Sequence, residues 1–280
     1  MTTPYEVLTY LFPFVATAGA YSAQIQDRVG THAAKDGETL FHHALSDADL
    51  TIQSFLEVAL LRRYPHLSFF SEEQEHSLNA KYFVPNAELE VLLDPVDGTR
   101  SYIDNREHYQ IIVTIHDRSE IVGALCYMPR RQRCYYASKG QGAFVLSQQE
   151  FEQGASGRRL TLAQREGPVL LFNAPDLQAK LSPYMSIKDL ITTYSSEPGR
   201  YNSTDLIEGL ALATLHRPCQ AIDAGAIGFI AAEAGAIVTD FKGQAPGSYR
   251  GSAKRMVPNL VVAATPEIHT LIIKTLASVD

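Results

Sequence analysis

A mixed α+β fold is predicted by three features of the chain taken in order. Two stretches near the N-terminus carry apolar residues at helical spacing, the middle third is a series of strand-like runs joined by short turns, and the second half alternates strands with helices. In the first stretch Val7, Leu8, Leu11, Phe12, Phe14, Val15, Ala18, Tyr21 and Ile25 keep near-helical spacing, and Pro13 predicts a break or a new first turn. Residues 30–37 read as loop. Ser46-Asp47-Ala48-Asp49 then opens a second amphipathic helix closed by Tyr64-Pro65, with Ser46 and Asp49 as a capping pair. Leu50, Ile52, Phe55, Leu56, Val58, Ala59, Leu60 and Leu61 are its expected buried residues.

Residues 68–144 are mainly strands and hairpins, with successive antiparallel strands expected at 109–115, 121–127 and 133–137. The polar segment 100–108 suits an exposed loop, a lid or a specificity segment. Residues 147–157, rich in Gln, Glu and Gly, are the best connector between a unit at 1–150 and one at 151–280. Beyond it, strands are predicted at 168–172 and 187–193, a short helix over 177–185, and a helix capped by Asp205 and Glu208 that runs to about His216. The glycines of the helix following Asp223 cost about 1 kcal/mol each against alanine, so close packing is the expected offset. A strand at 259–264 and a C-terminal helix from Pro266 end the chain.

With 280 residues, 45% apolar and 20% charged, the sequence can bury a substantial core. Its net charge of -7 argues against nucleic acid, which needs a basic face, but not against a small phosphorylated molecule if a bound cation supplies the positive charge. Cys126, Cys134 and Cys219 are odd in number and lack metal spacing, so reduced core thiols are expected. Residues 1–27 hold no Lys or Arg, unlike a secretory leader, and no apolar run reaches the roughly 18 residues of a membrane helix. A cytoplasmic protein without a membrane partner is expected.

The chemistry gathers at Leu92-Leu93-Asp94-Pro95-Val96-Asp97-Gly98-Thr99, an apolar strand that ends in two carboxylates, a proline, a glycine and a hydroxyl. Pro95 holds Asp94 extended, and Gly98 permits a positive φ. Asp94, Asp97 and the Val96 carbonyl can therefore aim hard oxygen ligands into one space, as a divalent cation such as magnesium requires. The same residues also fit an Asp-Pro…Asp-Gly surface turn. A second strand, Leu67-Ser68-Phe69-Phe70, ends in Ser71-Glu72-Glu73, which alone reads equally as solvated surface. Far downstream, Asp223 precedes an Ala/Gly-rich helix it could simply cap.

Together, in this order, these motifs resemble the inositol monophosphatase family of magnesium-dependent, lithium-sensitive phosphomonoesterases. Residues 122–129, 136–144 and 235–243 resemble its central strand, glycine hairpin and final turn. The resemblance implies a layered α-β-α-β-α sandwich of the inositol monophosphatase/fructose bisphosphatase type, a small phosphorylated substrate, a homodimer, and two or three Mg2+ ions replaceable in binding by Mn2+ or Ca2+. It implies Glu72, Asp94, Val96, Asp97 and Asp223 as metal ligands, and Glu72, Thr99 and Asp49 as the groups that orient and deprotonate the attacking water. Backbone N–H groups of Gly98 and Thr99 would meet the phosphate. Ser71 in place of glycine and Ile222 in place of tryptophan depart from the family pattern, as does residues 200–204 lacking a Gly-Ser-x-Ala string, and these leave the substrate open. Inositol monophosphate is the default; a 3′(2′),5′-bisphosphate nucleotidase and a metal- or phosphate-sensing binding protein are the alternatives.

Overall fold

Two helices open the computed structural model, which describes residues 2–28, 46–164, 166–194, 196, 201–246 and 255–278. The loop expected at 30–37 and Arg200 lie outside them. Helix α1, Pro4–Ile25, is held at its start by a capping box between Thr3 and Glu6. It runs through Pro13 without the expected break. Pro13 and Thr9 both lie on the exposed face, where water can satisfy the carbonyl left without a donor. Helix α2, Asp47–Arg63, starts at Ser46 as expected. Its buried face differs from the predicted one: Phe55 and Val58 are exposed, whereas Asp49, Gln53 and Glu57, each one turn apart, are buried beside Ile52, Leu56 and Leu60.

Seven strands lie side by side in chain order: β1 Ser68–Ser71, β2 Glu90–Asp97, β3 Gln110–His116, β4 Ile121–Met128, β5 Arg133–Ser138, β6 Gly142–Ser147 and β7 Arg158–Arg159. The β1–β2 pair is parallel and the others antiparallel. The segment expected as an exposed loop after β2 instead begins with a short helix α3, Thr99–Ile103, in which Tyr102 is fully buried. Gln26 of the α1 end donates to the Tyr102 and Arg106 carbonyls and so ties this segment down. A one-turn helix α4, Gln148–Glu152, occupies the connector.

The second sheet has the order β12-β14-β10-β8-β9, from β8 Val169–Phe172, β9 Ile187–Asp189, β10 Ala213–His216, β12 Ile237–Thr239 and β14 Leu260–Ala263; β11 Cys219–Gln220 and β13 Met256–Val257 form a separate ribbon. Short helices α5 Gln178–Leu181 and α6 Leu190–Tyr194 flank it, α7 is Ala226–Glu233, and α8 Pro266–Ala277 closes the chain. Two expectations fail here. Only the first half of 187–193 is strand. The predicted helix ending near His216 is a turn followed by β10, the central strand, because Ala213 to His216 pair with both β8 and β14. That pairing outweighs a local cap signal. Asp205 accepts from the Asn202 N–H, and Glu208 is taken by Arg131.

The strand faces sort into three cores. Val91, Leu93, Ile111, Val113, Leu125 and Tyr127 meet α1 and α2. Ile112, Ala124, Cys126 and Tyr135 meet α7, whose far side meets Leu260 and Val262. Val169, Leu171, Leu215 and Val261 meet α5 and α8. Five layers result, α-β-α-β-α, as the resemblance implied. Gly228 supports the expected close packing, since a Cβ there would lie 3.4 Å from both Leu260 and Val262. Cys126 and Cys134 are free and belong to opposite faces of the first sheet, so they do not pair.

Candidate active site

Asp94 and Asp97 are three residues apart and would face opposite sides of a regular strand. The pairing of Asp94 with Ile112 and Asp97 with Gln110 inserts one extra residue in β2, a bulge that returns both carboxylates to one side. Pro95, which has no N–H to give the ladder, occupies the bulge. The Val96 N–H donates to Asp94 Oδ1 at 2.9 Å. Gly98 adopts φ +87°, and a Cβ there would lie 3.0 Å from the His108 carbonyl, so both conformation and space exclude a side chain. The Gly98 N–H is turned toward the Asp97 carboxylate.

The remaining acids arrive from three other elements. The Glu72 N–H donates to the Leu93 carbonyl at 3.0 Å, extending β1 past Ser71 beside the β2 tip. Asp223 sits in a π-helical turn, Ala221–Gly225, that leads into α7 and is anchored by buried Ile222 and Ala224. Such turns are rare in helices and frequent at functional sites. Asp49 makes the cap contact and also reaches Thr99: Oδ2 accepts from the Ser46 N–H and hydroxyl, and Oδ1 lies 3.3 Å from the Thr99 hydroxyl. Thr99 also lies within 2.8 Å of the Val96 carbonyl, so its single proton has two acceptors.

Glu72, Asp94, Val96, Asp97, Gly98, Thr99 and Asp223 thus share one cavity of about 290 Å3, with Asp49 buried behind Thr99. Burial, and then Glu72, Asp223 and Asp97, push the Asp94 carboxyl well above its ordinary range. Burial raises Asp97 to about 6 against the opposing effect of a Gln110 hydrogen bond, and raises Asp49 to about 7. Among the described residues, no three of these acids are already drawn to ligation distance around a point. The donor set still fits divalent magnesium: carboxylates and a carbonyl without sulfur or imidazole, crowded so that a cation would relieve their repulsion.

Sequence reasoning missed Gln110, whose amide donates to Asp97 and exchanges hydrogen bonds with Asn202, at 2.8 Å and 3.0 Å, joining β2 to the second half of the chain. The only local signal was an amide at the head of an apolar strand, and the structure alone shows that amide to be fully buried. Beyond the acids the lining mixes aromatic and apolar residues, Phe172 stacked on His216 at 4.3 Å with Leu190, Ile191 and Tyr201, and polar ones such as Asn173, Thr193 and Gln220. Tyr194 and Arg100 both donate to Asp104 there, at 2.6 Å and 2.9 Å.

A model of the inositol monophosphatase family matches residues 8–280. The chain belongs to the inositol monophosphatase family. Its curated relatives include a "putative Nus factor SuhB" of Neisseria meningitidis serogroup B, 26% identical and covering 95% of this chain and 96% of that protein. A "3′(2′),5′-bisphosphate nucleotidase CysQ" of Aggregatibacter actinomycetemcomitans is 28% identical over 36% of each chain. Among solved structures, the Thermotoga maritima IMPase TM1415 superposes with a TM-score of 0.74 at 18% identity, covering 96% of both chains. An IMPase/NADP phosphatase complexed with NADP and Ca2+ gives 0.74 at 17%, covering 99% of this chain and 97% of that one. The family is one of divalent-metal-dependent phosphatases, and the inositol monophosphatase layering is the one observed here. No helix among the described residues is long and apolar enough to cross a membrane.

Proposed function

We propose that this chain is a Mg2+-dependent phosphatase that hydrolyses a small phosphomonoester of the inositol monophosphate type by direct attack of water, without a phosphoenzyme. The observation that carries the reading is the bulge at Pro95-Val96, which turns Asp94 and Asp97 to one side, where Glu72 and Asp223 also face the same cavity. In this reading the 1–150 part supplies Glu72 and the 94–99 turn, and the 151–280 part supplies Asp223. Glu72, Asp94, the Val96 carbonyl, Asp97 and Asp223 hold the ions, two or three Mg2+. Bound magnesium would polarise the phosphate and bring a coordinated water's pKa toward neutrality.

The chain's own groups do the rest. Thr99 and Glu72 orient the attacking water and take its proton, and Asp49, fixed by Ser46, holds the Thr99 hydroxyl. The Thr99 N–H, with Gly98, meets the phosphate. Gln110 restrains Asp97 through an amide that Asn202 locks in place. The reading also carries inhibition by lithium, a homodimer and a cytoplasmic location.

A second reading, a 3′(2′),5′-bisphosphate nucleotidase, is favoured by the aromatic side chains Phe172 and Tyr201 of the cavity lining, which offer a planar base stacking partners. The similarity to a CysQ and to an NADP-binding phosphatase lends it support. Phosphate release from inositol monophosphate, phosphoadenosine phosphate and fructose bisphosphate, with and without Mg2+, separates these readings. Release from none of them, with metal bound, would favour the sensor alternative.

A further inference from the structure

One buried side chain holds both neighbours of Glu72. Gln53 of α2 is 1% exposed, its Oε1 accepts from the Ser71 hydroxyl, and its Nε2 donates to the Glu73 carbonyl at 3.1 Å. Ser71, itself fully buried, gives its N–H to Gln74 Oε1 at 3.0 Å, and the Glu73 carbonyl also accepts from the His76 N–H at 2.9 Å. Between these two fixed points Glu72 is pinned to β2 by its own N–H. Gln53 lies one helical turn from Asp49, so a single face of α2 backs both the Thr99 hydroxyl and the Glu72 loop. Ser71 is also the residue by which this chain departs from the family's usual glycine, and a glycine could not make the bond to Gln53.

We propose that Gln53 and Ser71 form a positioning pair that sets metal affinity by fixing the backbone on either side of Glu72. The inference rests on the reading of Glu72 as a metal ligand. Outer groups that orient a ligand change metal affinity by about 10- to 100-fold when removed. A pair that merely satisfies buried polar atoms would instead lower stability and leave affinity alone.

The test uses the full chain with Gln53→Leu, Ser71→Ala and the double variant, and Asn79→Ala as a control. Asn79 donates to Glu57 at 2.9 Å farther along the same face and touches neither neighbour of Glu72. Terbium luminescence and calorimetry with Mg2+ measure binding without turnover, Mg2+ titration of phosphate release measures activation, and melting in EDTA measures the fold. The expected result is a rise of about tenfold or more in the Mg2+ and Tb3+ dissociation constants for each single variant. The double variant should match Gln53→Leu, because that substitution already removes the Ser71 contact along with the one to the Glu73 carbonyl, and Asn79→Ala should shift affinity less than twofold. Unchanged affinity in a folded Gln53→Leu and a folded Ser71→Ala would overturn the proposal. If Gln53→Leu fails to fold, Ser71→Ala alone decides. Should the wild type bind metal but hydrolyse nothing, the functional reading fails while the binding result still judges the pair.

Discussion

Asp94 concentrates the conflict between folding and function. It is buried among acids that raise its pKa, so in the absence of metal the native state is penalised as pH rises. The sign follows from linkage: an acid raised in the folded state favours folding at low pH and loses that advantage above its unfolded pKa. Asp94→Asn should therefore abolish phosphate release yet melt higher than wild type in EDTA at pH 8, with the advantage gone near pH 4. Full activity in Asp94→Asn would remove the metal assignment, and equal melting temperatures at pH 8 would remove the electrostatic account. Thr99→Ala removes the methyl and the hydroxyl that contacts Asp49 and the Val96 carbonyl but no proposed ligand atom. On the proposed reading turnover should therefore fall by about 100-fold or more, the size of a lost proton-transfer group, while metal affinity changes far less. Calorimetry beside kinetics checks that split. Glu72, Asp94 and Asp97 were legible in the sequence because each lies at the abrupt end of an apolar run. Asp223 and Asp49 read locally as helix caps and were singled out only through the family resemblance. Gln110 and Gln53 were legible in neither way, since a single amide inside an apolar pattern has no signature until its partner is known.

Helices and strands obeyed the sequence wherever their signals were local. The Ser46–Asp49 capping pair, the Gly98 turn and the β3–β5 meander stand within a residue or two of expectation, because turns and alternation are short-range facts. Where a distant partner decides, the pattern misled. The Asp205/Glu208 signal gave way to β10, and the apolar Phe55 and Val58 gave their inner places to Gln53 and Glu57, which have the 71–79 loop to bind. The bulge in β2 was hidden for the same reason, since it exists only against β3. Pro13 is the cleanest local exception, a proline carried inside α1 on its wet face. Proline costs about 3 kcal/mol against alanine in a helix interior, less what it saves in the unfolded chain. Pro13→Ala should therefore stabilise the protein by about 1–2 kcal/mol without touching activity, measured by urea unfolding. A loss of stability would mean that the helix needs the proline's contacts more than its missing hydrogen bond.

Across the whole molecule, stability against acid is shared between opposing groups. The clustered carboxylates gain from protonation in the absence of metal, whereas His216, buried in the second sheet against Phe172, loses by it. Burial lowers His216 to about 3, so the native state keeps it neutral while the unfolded chain takes up a proton near 6.5. Its contribution is complete above about pH 6.5 and drains away as pH falls toward about 3, at roughly 1.4 kcal/mol per unit. His216→Gln removes the titration but keeps a polar side chain, and the comparison with wild type cancels the carboxylates, which both proteins share. Relative to wild type, the variant should therefore gain about 2 kcal/mol between pH 7 and pH 5, read from urea unfolding at the two pH values in EDTA. Parallel pH profiles for the two proteins would mean that water reaches His216 in the folded state, and that the cavity lining around Phe172 is wetter than the burial of His216 implies. A nucleotide base would then lose the dry stacking surface at Phe172 that favours it.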